Sequence, residues 1–566
     1  MRKPDGKNTT KTTLGGTQSP GQETPYTAIT QASVRTQQGD HAVDPTIGRY
    51  LIAPRPAELL TFRAMERLDA VDLFSSLEAD PAVDVVETVQ PSRLASLAGL
   101  AVPRPMCPPI AIVNMTHEYA RTLAASPQVI VEPDQPLVYP NTAVMASTPD
   151  PALAVPITES SQLTIQVRGT DGTCPPKTHV WALGTSIPSA HTVTDHDGRA
   201  TLLLPCDTPS TVRTLYVRPT TGYWPARLDH PNLPDDGSEV LIEVRPLSDV
   251  FAGFPDKGVT TWGQHAMRLH ELPPDYRGKG ITVALLDSGI NAAHPDLKGA
   301  IYGGQDFTHT GTRLWECDAT GNGTACAGVI AAADNDTGIT GIAPEVRLQS
   351  LKLYPGGRTS DLLKALDWCL THDTDLAQIN LAYSSPSWLT VLKILDLHAA
   401  GVITIAPTGD TGNSVSFPAA TPGVLAVTAL AHIGLPCIAP PNGSPVAGTL
   451  YTPAYAPSAP GADLAAPGAS IPTTAGDASY TTADGTALAA AHITALSALA
   501  LAHHPALRTQ ARTSTRLHHL HSVLTTSGMP VAASCPTGRG IPDATAVLGL
   551  SYPYAQSPLV AAHSPA

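Results

Sequence analysis

From about residue 250 to residue 550, short strand-like runs take turns with helical ones. Strands are expected at 282–286, 347–352, 376–380, 402–405 and 424–429, and helices at 324–333, 361–372, 388–399 and 486–502. This alternation calls for a parallel sheet covered by helices on both faces. In such sheets the ligand site lies outside the carboxyl ends of the strands. An α/β class is therefore set before any motif is read.

The preceding segments follow other periods. Residues 1–46 read as a disordered tail rich in Thr, Gly, Gln and Lys, and 551–566 as a C-terminal tail. Within 47–140, strands at 49–53, 83–89, 110–114 and 128–132 flank helical runs at 57–76 and 116–125, the second opened by a Thr116 cap. Two βαβ units in so short a stretch describe a ferredoxin-like α+β domain. Within 156–248 the period falls to two, with runs at 163–167, 179–183, 200–204, 214–218 and 240–244 separated by turns such as Asp171-Gly172 and Asp197-Gly198. That pattern predicts an all-β sandwich. Its 194–200 turn loosely resembles transthyretin-like, carboxypeptidase-regulatory modules.

Composition narrows the partners. The 566 residues include 48 acidic and 34 basic side chains, a formal charge of −14, so the basic footprint of nucleic-acid or anionic-membrane binding is missing. Residues 1–27 lack the apolar run of a signal peptide, which favours a cytoplasmic over a secreted location. Eight scattered cysteines without CxxC spacing suggest free thiols, with Cys174 and Cys206 the one pair worth testing for a disulfide. The apolar run 486–502 carries His492 and Thr494 and reads as a buried helix rather than a membrane span.

Five motifs occur in order along 250–550. They are Leu286-Asp287-Ser288-Gly289 at a strand end, Gly321-Asn322-Gly323-Thr324-Ala325 entering a small-residue helix, Gly341-Ile342-Ala343-Pro344, Ala465-Ala466-Pro467-Gly468, and Gly485-Thr486-Ala487-Leu488-Ala489 entering another helix. The set resembles the subtilisin-like serine peptidases across about 300 residues. The 47–140 segment, by its pattern and its Ala125-Ser126-Pro127-Gln128-Val129-Ile130-Val131-Glu132-Pro133-Asp134 stretch, is similar to the family's inhibitor propeptide.

Carried over position by position, the resemblance implies an altered site. The family's aspartate matches Asp287, but its histidine falls on Asn322, its nucleophilic serine on Ala487 and its oxyanion asparagine on Asp410. A methyl group cannot attack a carbonyl, and an amide has no useful basicity near neutral pH. In subtilisin, losing the serine or the histidine alone costs about 2 × 10⁶ in turnover. The remaining histidines near the motifs, His294 and His492, match structural positions of the family. The substrate-binding strand matches Leu381, Ala382, Tyr383 and Ser384, where the bulk of Tyr383 is expected to reshape the groove.

The sequence thus leads to a catalytically inactive subtilisin-like pseudoprotease that binds a peptide or protein partner, its own propeptide-like segment included. Two alternatives stay open: a working endopeptidase with displaced catalytic groups, and an adhesion or scaffold protein acting through its β-sandwich. No cofactor is expected. Structural calcium is common in the family, but no compact acidic run assigns its ligands here.

Overall fold

A computed structural model describes residues 46–56, 68–92, 105–139, 160–184, 190–205, 207–308, 314–412, 414–436, 448–457, 460–476, 478–529 and 538–550. The expected tails, apart from Thr46, and the first part of the helix expected from 57 lie outside these residues, as does Cys206. Met1–Gly48 and Arg49–Ala566 form separate contact units, and apart from the first two residues of the opening strand everything below concerns the second.

The first sheet contains β1 (Ile47–Pro54), β2 (Val83–Val89), β3 (Ile110–Thr116) and β4 (Val129–Pro133) in the order β2-β3-β1-β4. Helices α1 (Ala70–Ala79) and α2 (His117–Ala124) accompany it, and the Thr116 side chain caps α2 by accepting the Tyr119 N–H. Successive strand residues face opposite sides. Ile52, Val113 and Met115 therefore share a core with Leu73, Phe74 and Leu77 of α1. Leu51, Ala53 and Ile112 form another with Leu363, Leu389 and Leu392, which belong to helices of the large α/β body.

Two further sheets share one apolar core. One runs β10 (Ala226–Asp229), β9 (Thr214–Arg218), β6 (His179–Leu183), β7 (Ala190–Val193), the other β11 (Val240–Val244), β5 (Ser160–Gly169), β8 (Arg199–Pro205). The four-residue strands β7 and β10 escaped the period-two reading, and β11 pairs parallel with β5. Cys174 is a free thiol among the described residues, and its suggested partner Cys206 lies outside them.

The large body is built on β12 (Thr282–Asp287), β13 (Ile301–Asp306), β14 (Arg347–Lys352), β15 (Leu376–Ile379), β16 (Ile403–Pro407) and β17 (Leu425–His432), in the order β13-β14-β12-β15-β16-β17. These neighbours pair in parallel. β18 (Leu450–Tyr451) adds antiparallel to β17 and β19 (Leu464–Pro467) parallel to it. A hairpin follows, β20 (Ile471–Thr474) with β21 (Tyr480–Ala483). The longer helices are α3 (Asn322–Ala331), α4 (Thr359–Thr371), α5 (Trp388–Ala399), α6 (Thr486–His503) and α7 (Ser514–Thr526). Every residue of β12 is buried, as parallel strands covered on both faces must be. Helix α6, apolar enough to cross a membrane, instead lies buried in the core.

Candidate functional site

Three elements and the loop after β16 bring the four sequence-derived positions together. β12 ends at Asp287, while α3 and α6 begin at Asn322 and Thr486 beside it. A small pocket is lined by Asn322, Ala325, Asp410 and Ala487, and by Tyr139 and Asp484. Glycines make the approach possible. A Cβ on Gly323 would stand 2.0 Å from the Gly289 carbonyl, and Gly485, at φ +145°, holds a conformation that side chains rarely allow.

Asp287 is 1 % exposed and fully partnered. It accepts the Ser288 N–H at 2.7 Å, the Asn380 Nδ2–H at 2.5 Å and the phenol of Tyr139. Burial pushes its carboxyl up to about 6, helped by repulsion from Asp318 and opposed by the Tyr139, Asn380 and Ser288 hydrogen bonds. Burial and the neighbouring Asp287 charge likewise hold the Tyr139 phenol well above its ordinary range, so it stays a donor. The hydrogen bond that a histidine would give this carboxylate comes from a tyrosine.

The rest of the pocket has no proton chemistry of the expected kind. Ala487 offers a methyl group, and among the described residues no histidine lines the pocket. His294 is fully buried, with Nδ1 accepting the Asp296 N–H, and burial lowers His492 to about 4 beside the Leu488 carbonyl. Asp410 accepts the Thr486 N–H at 2.8 Å, and burial pushes its carboxyl up to about 6. An oxyanion needs donors. The ionised Asp410 supplies an acceptor instead.

A strand from the N-terminal segment lies in the cleft. The Leu137 N–H donates to the Gly357 carbonyl at 2.9 Å, and the Thr359 N–H to that of Gln135 at 2.8 Å. On the other edge Val138 and Ala382 exchange both backbone bonds, at 2.9 and 2.7 Å. The Gln135 side chain accepts from Ser384 Oγ at 2.8 Å and from the Ser385 N–H at 2.9 Å. Two acids upstream tie down helix starts. Asp134 accepts the Ser360 N–H at 2.9 Å at α4, and Glu132 accepts the Trp388 N–H at 2.6 Å at α5, favourable places for negative charge. Of the four groove positions, Ala382 and Ser384 meet the strand, whereas Leu381 and Tyr383 turn into the core, Tyr383 stacked on Phe417. The ring of Tyr383 is thus a core side chain.

Three residues of the site escaped sequence reasoning. Tyr139 gives no local signal, because its importance depends on distant Asp287. Asp484 precedes the Gly485 turn without any motif of its own. Asp318 accepts from Ser288, Thr320, Gly321 and Thr324, but it stands three residues ahead of the Gly321 cap and has no capping spacing that would single it out. Among the described residues, the one group close enough to share a metal ion, Asp195, His196 and Asp197, stands exposed in the turn before β8.

Comparison with known proteins agrees with this architecture. The Peptidase S8 model, the subtilase family, matches residues 278–532. Subtilisin DY from Bacillus licheniformis is 30 % identical over 242 residues, covering 41 % of this chain and 80 % of the relative. Subtilisin E from Bacillus subtilis is 30 % identical over 283 residues, covering 48 % and 68 % respectively. The thermostable alkaline protease of Halalkalibacterium halodurans is 29 % identical over 232 residues, covering 40 % and 58 %. With the sheet, the glycine turns and the retained Asp287 in place, the chain belongs to the subtilase family.

Proposed function

We propose that this chain is a pseudoprotease: a subtilisin-like body that folds but does not cleave, its groove held by its own strand 134–139. The observation that carries the reading is Tyr139 on Asp287, where a working triad would need an imidazole, with a methyl group at Ala487 in place of the nucleophile. The strand order β2-β3-β1-β4, with two helices on one face, supports a ferredoxin-like, propeptide-like role for the N-terminal segment. The partner is accordingly the chain's own segment, bound by backbone pairing to Arg358 on one side and Ala382 on the other.

A displaced active site finds no support in the serine that follows Asp287. Ser288 Oγ is fully buried and donates to Asp318 at 2.6 Å rather than to an imidazole. A fluorophosphonate probe tests the reading. No covalent adduct should form on a serine of the 250–550 region, and casein should stay intact. Labelling of such a serine, with hydrolysis lost on Asp287→Ala, would overturn it.

A further inference from the structure

The two-sheet module also reaches the pocket. Its Trp181 and Tyr216 are cross-strand neighbours on β6 and β9, and both are buried in the apolar cluster that holds Ile471 and Leu488 of the large body. Tyr216 donates its phenol O–H to Asp484 Oδ2 at 3.1 Å, while Asp484 Oδ1 accepts the Ser470 N–H at 2.8 Å. In the β9–β10 turn, the Gly222 N–H donates to the Tyr480 carbonyl at 2.8 Å. These anchors bracket β21, the strand that leads through Asp484 directly into the Gly485 turn. Asp484 is itself a wall of the pocket.

We propose that the β6/β9 face is the docking surface that holds the β21–Gly485 wall closed, so that the pocket opens only when the module lifts. Strand 134–139 and the module then close one pocket from two independent parts of the chain. The β6/β9 face is occupied by its own chain and is not free for an external partner. Closure follows from the geometry of the pocket wall, and only its being the resting state rests on the pseudoprotease reading.

The test uses the full chain carrying Ala487→Cys as a reporter and a small methanethiosulfonate reagent, with the modified peptide quantified by mass spectrometry. Labelling governed by local opening should speed up roughly fivefold with Tyr216→Phe, the factor that one ordinary hydrogen bond is worth. Trp181→Ala should speed it further, and Leu203→Ser, on the exposed outer surface of the other sheet, should leave the rate alone. Unchanged rates in both Tyr216→Phe and Trp181→Ala would overturn the proposal. Unfolding of the module by Trp181→Ala without faster labelling would overturn it as well, because an undocked module beside a closed pocket contradicts the claim directly. Peptide hydrolysis by the chain with Ala487 unchanged, assayed in parallel, would break the pseudoprotease reading alone.

Discussion

The backbone of the pocket and its side chains have parted company. Gly323 and Gly485 still allow α3 and α6 to begin against β12, and Asp287 keeps its donors. Asn322, Ala487 and Asp410, on the same few turns, supply neither base, nucleophile nor oxyanion donor. On the proposed reading, the difference teaches that a catalytic framework and its chemistry are separable. The framework is set by close backbone approach and buried packing, which any loss of fold would punish, whereas the reacting groups line a pocket where a methyl or an amide costs little stability. Tyr139 bridges the two, satisfying a buried carboxylate that would otherwise have lost a partner.

The sharpest way to break this comparison is to put the chemistry back. The variant Asn322→His, Ala487→Ser, Asp410→Asn should stay close to background, because Tyr139 holds the oxygen that must orient the new imidazole. Adding Tyr139→Ala should raise casein hydrolysis roughly 10² to 10⁴-fold, the range that general-base assistance supplies. Equal rates with and without Tyr139 would show that the tyrosine is no obstacle.

Asp134→Ala probes the strand rather than the pocket. It strands the buried Ser360 N–H and hydroxyl and unpairs Arg49, 2.8 Å away, which should cost about 2 to 4 kcal/mol in denaturant unfolding. Hydrogen exchange at the Ser360 amide should rise with it. A loss below about 0.5 kcal/mol, the level of an ordinary surface change, would mean that the strand is not held there.

Tyr139→Phe removes one donor from buried Asp287 and should cost about 1 to 3 kcal/mol. It should also push the Asp287 carboxyl further up, since the phenol is among the groups holding it down. An unchanged midpoint would show that the phenol contributes no net stability.

The smallest effect is the pH dependence of Asp410. Its carboxyl sits at about 6 in the fold against an ordinary 3.8, so the folded state binds the proton more tightly. Stability is then fully present below about 4 and declines as the pH rises through about 6. Asp410→Asn should leave stability unchanged at pH 4 and raise it by about 1 to 2 kcal/mol at pH 8. A stabilisation equal at both pH values would reject the assignment.

The sequence was most legible where the structure is local. The strands at 347–352, 179–183 and 214–218 and the helix at 388–399 coincide with the observed elements, because buried runs and caps carry their own signal. The helix expected from 361 begins at Thr359, because its first turn is fixed by Asp134, more than two hundred residues away. The groove residues were found as a stretch, but their facing was not. Alternation along the chain sends Leu381 and Tyr383 inward, and that parity is set by pairing with Val138. Tyr139 and Asp484 stayed hidden for the same reason: each acts through a partner that only the fold brings near.

The central claim is that nothing in this chain can cut it at the groove, and the intact mass of the purified protein tests that most directly. After prolonged incubation at pH 7 to 8, the full 58.8 kDa chain should persist with strand 134–139 still attached. Conversion to a shorter form with a new N-terminus just after Tyr139, abolished by Asp287→Ala, would contradict it.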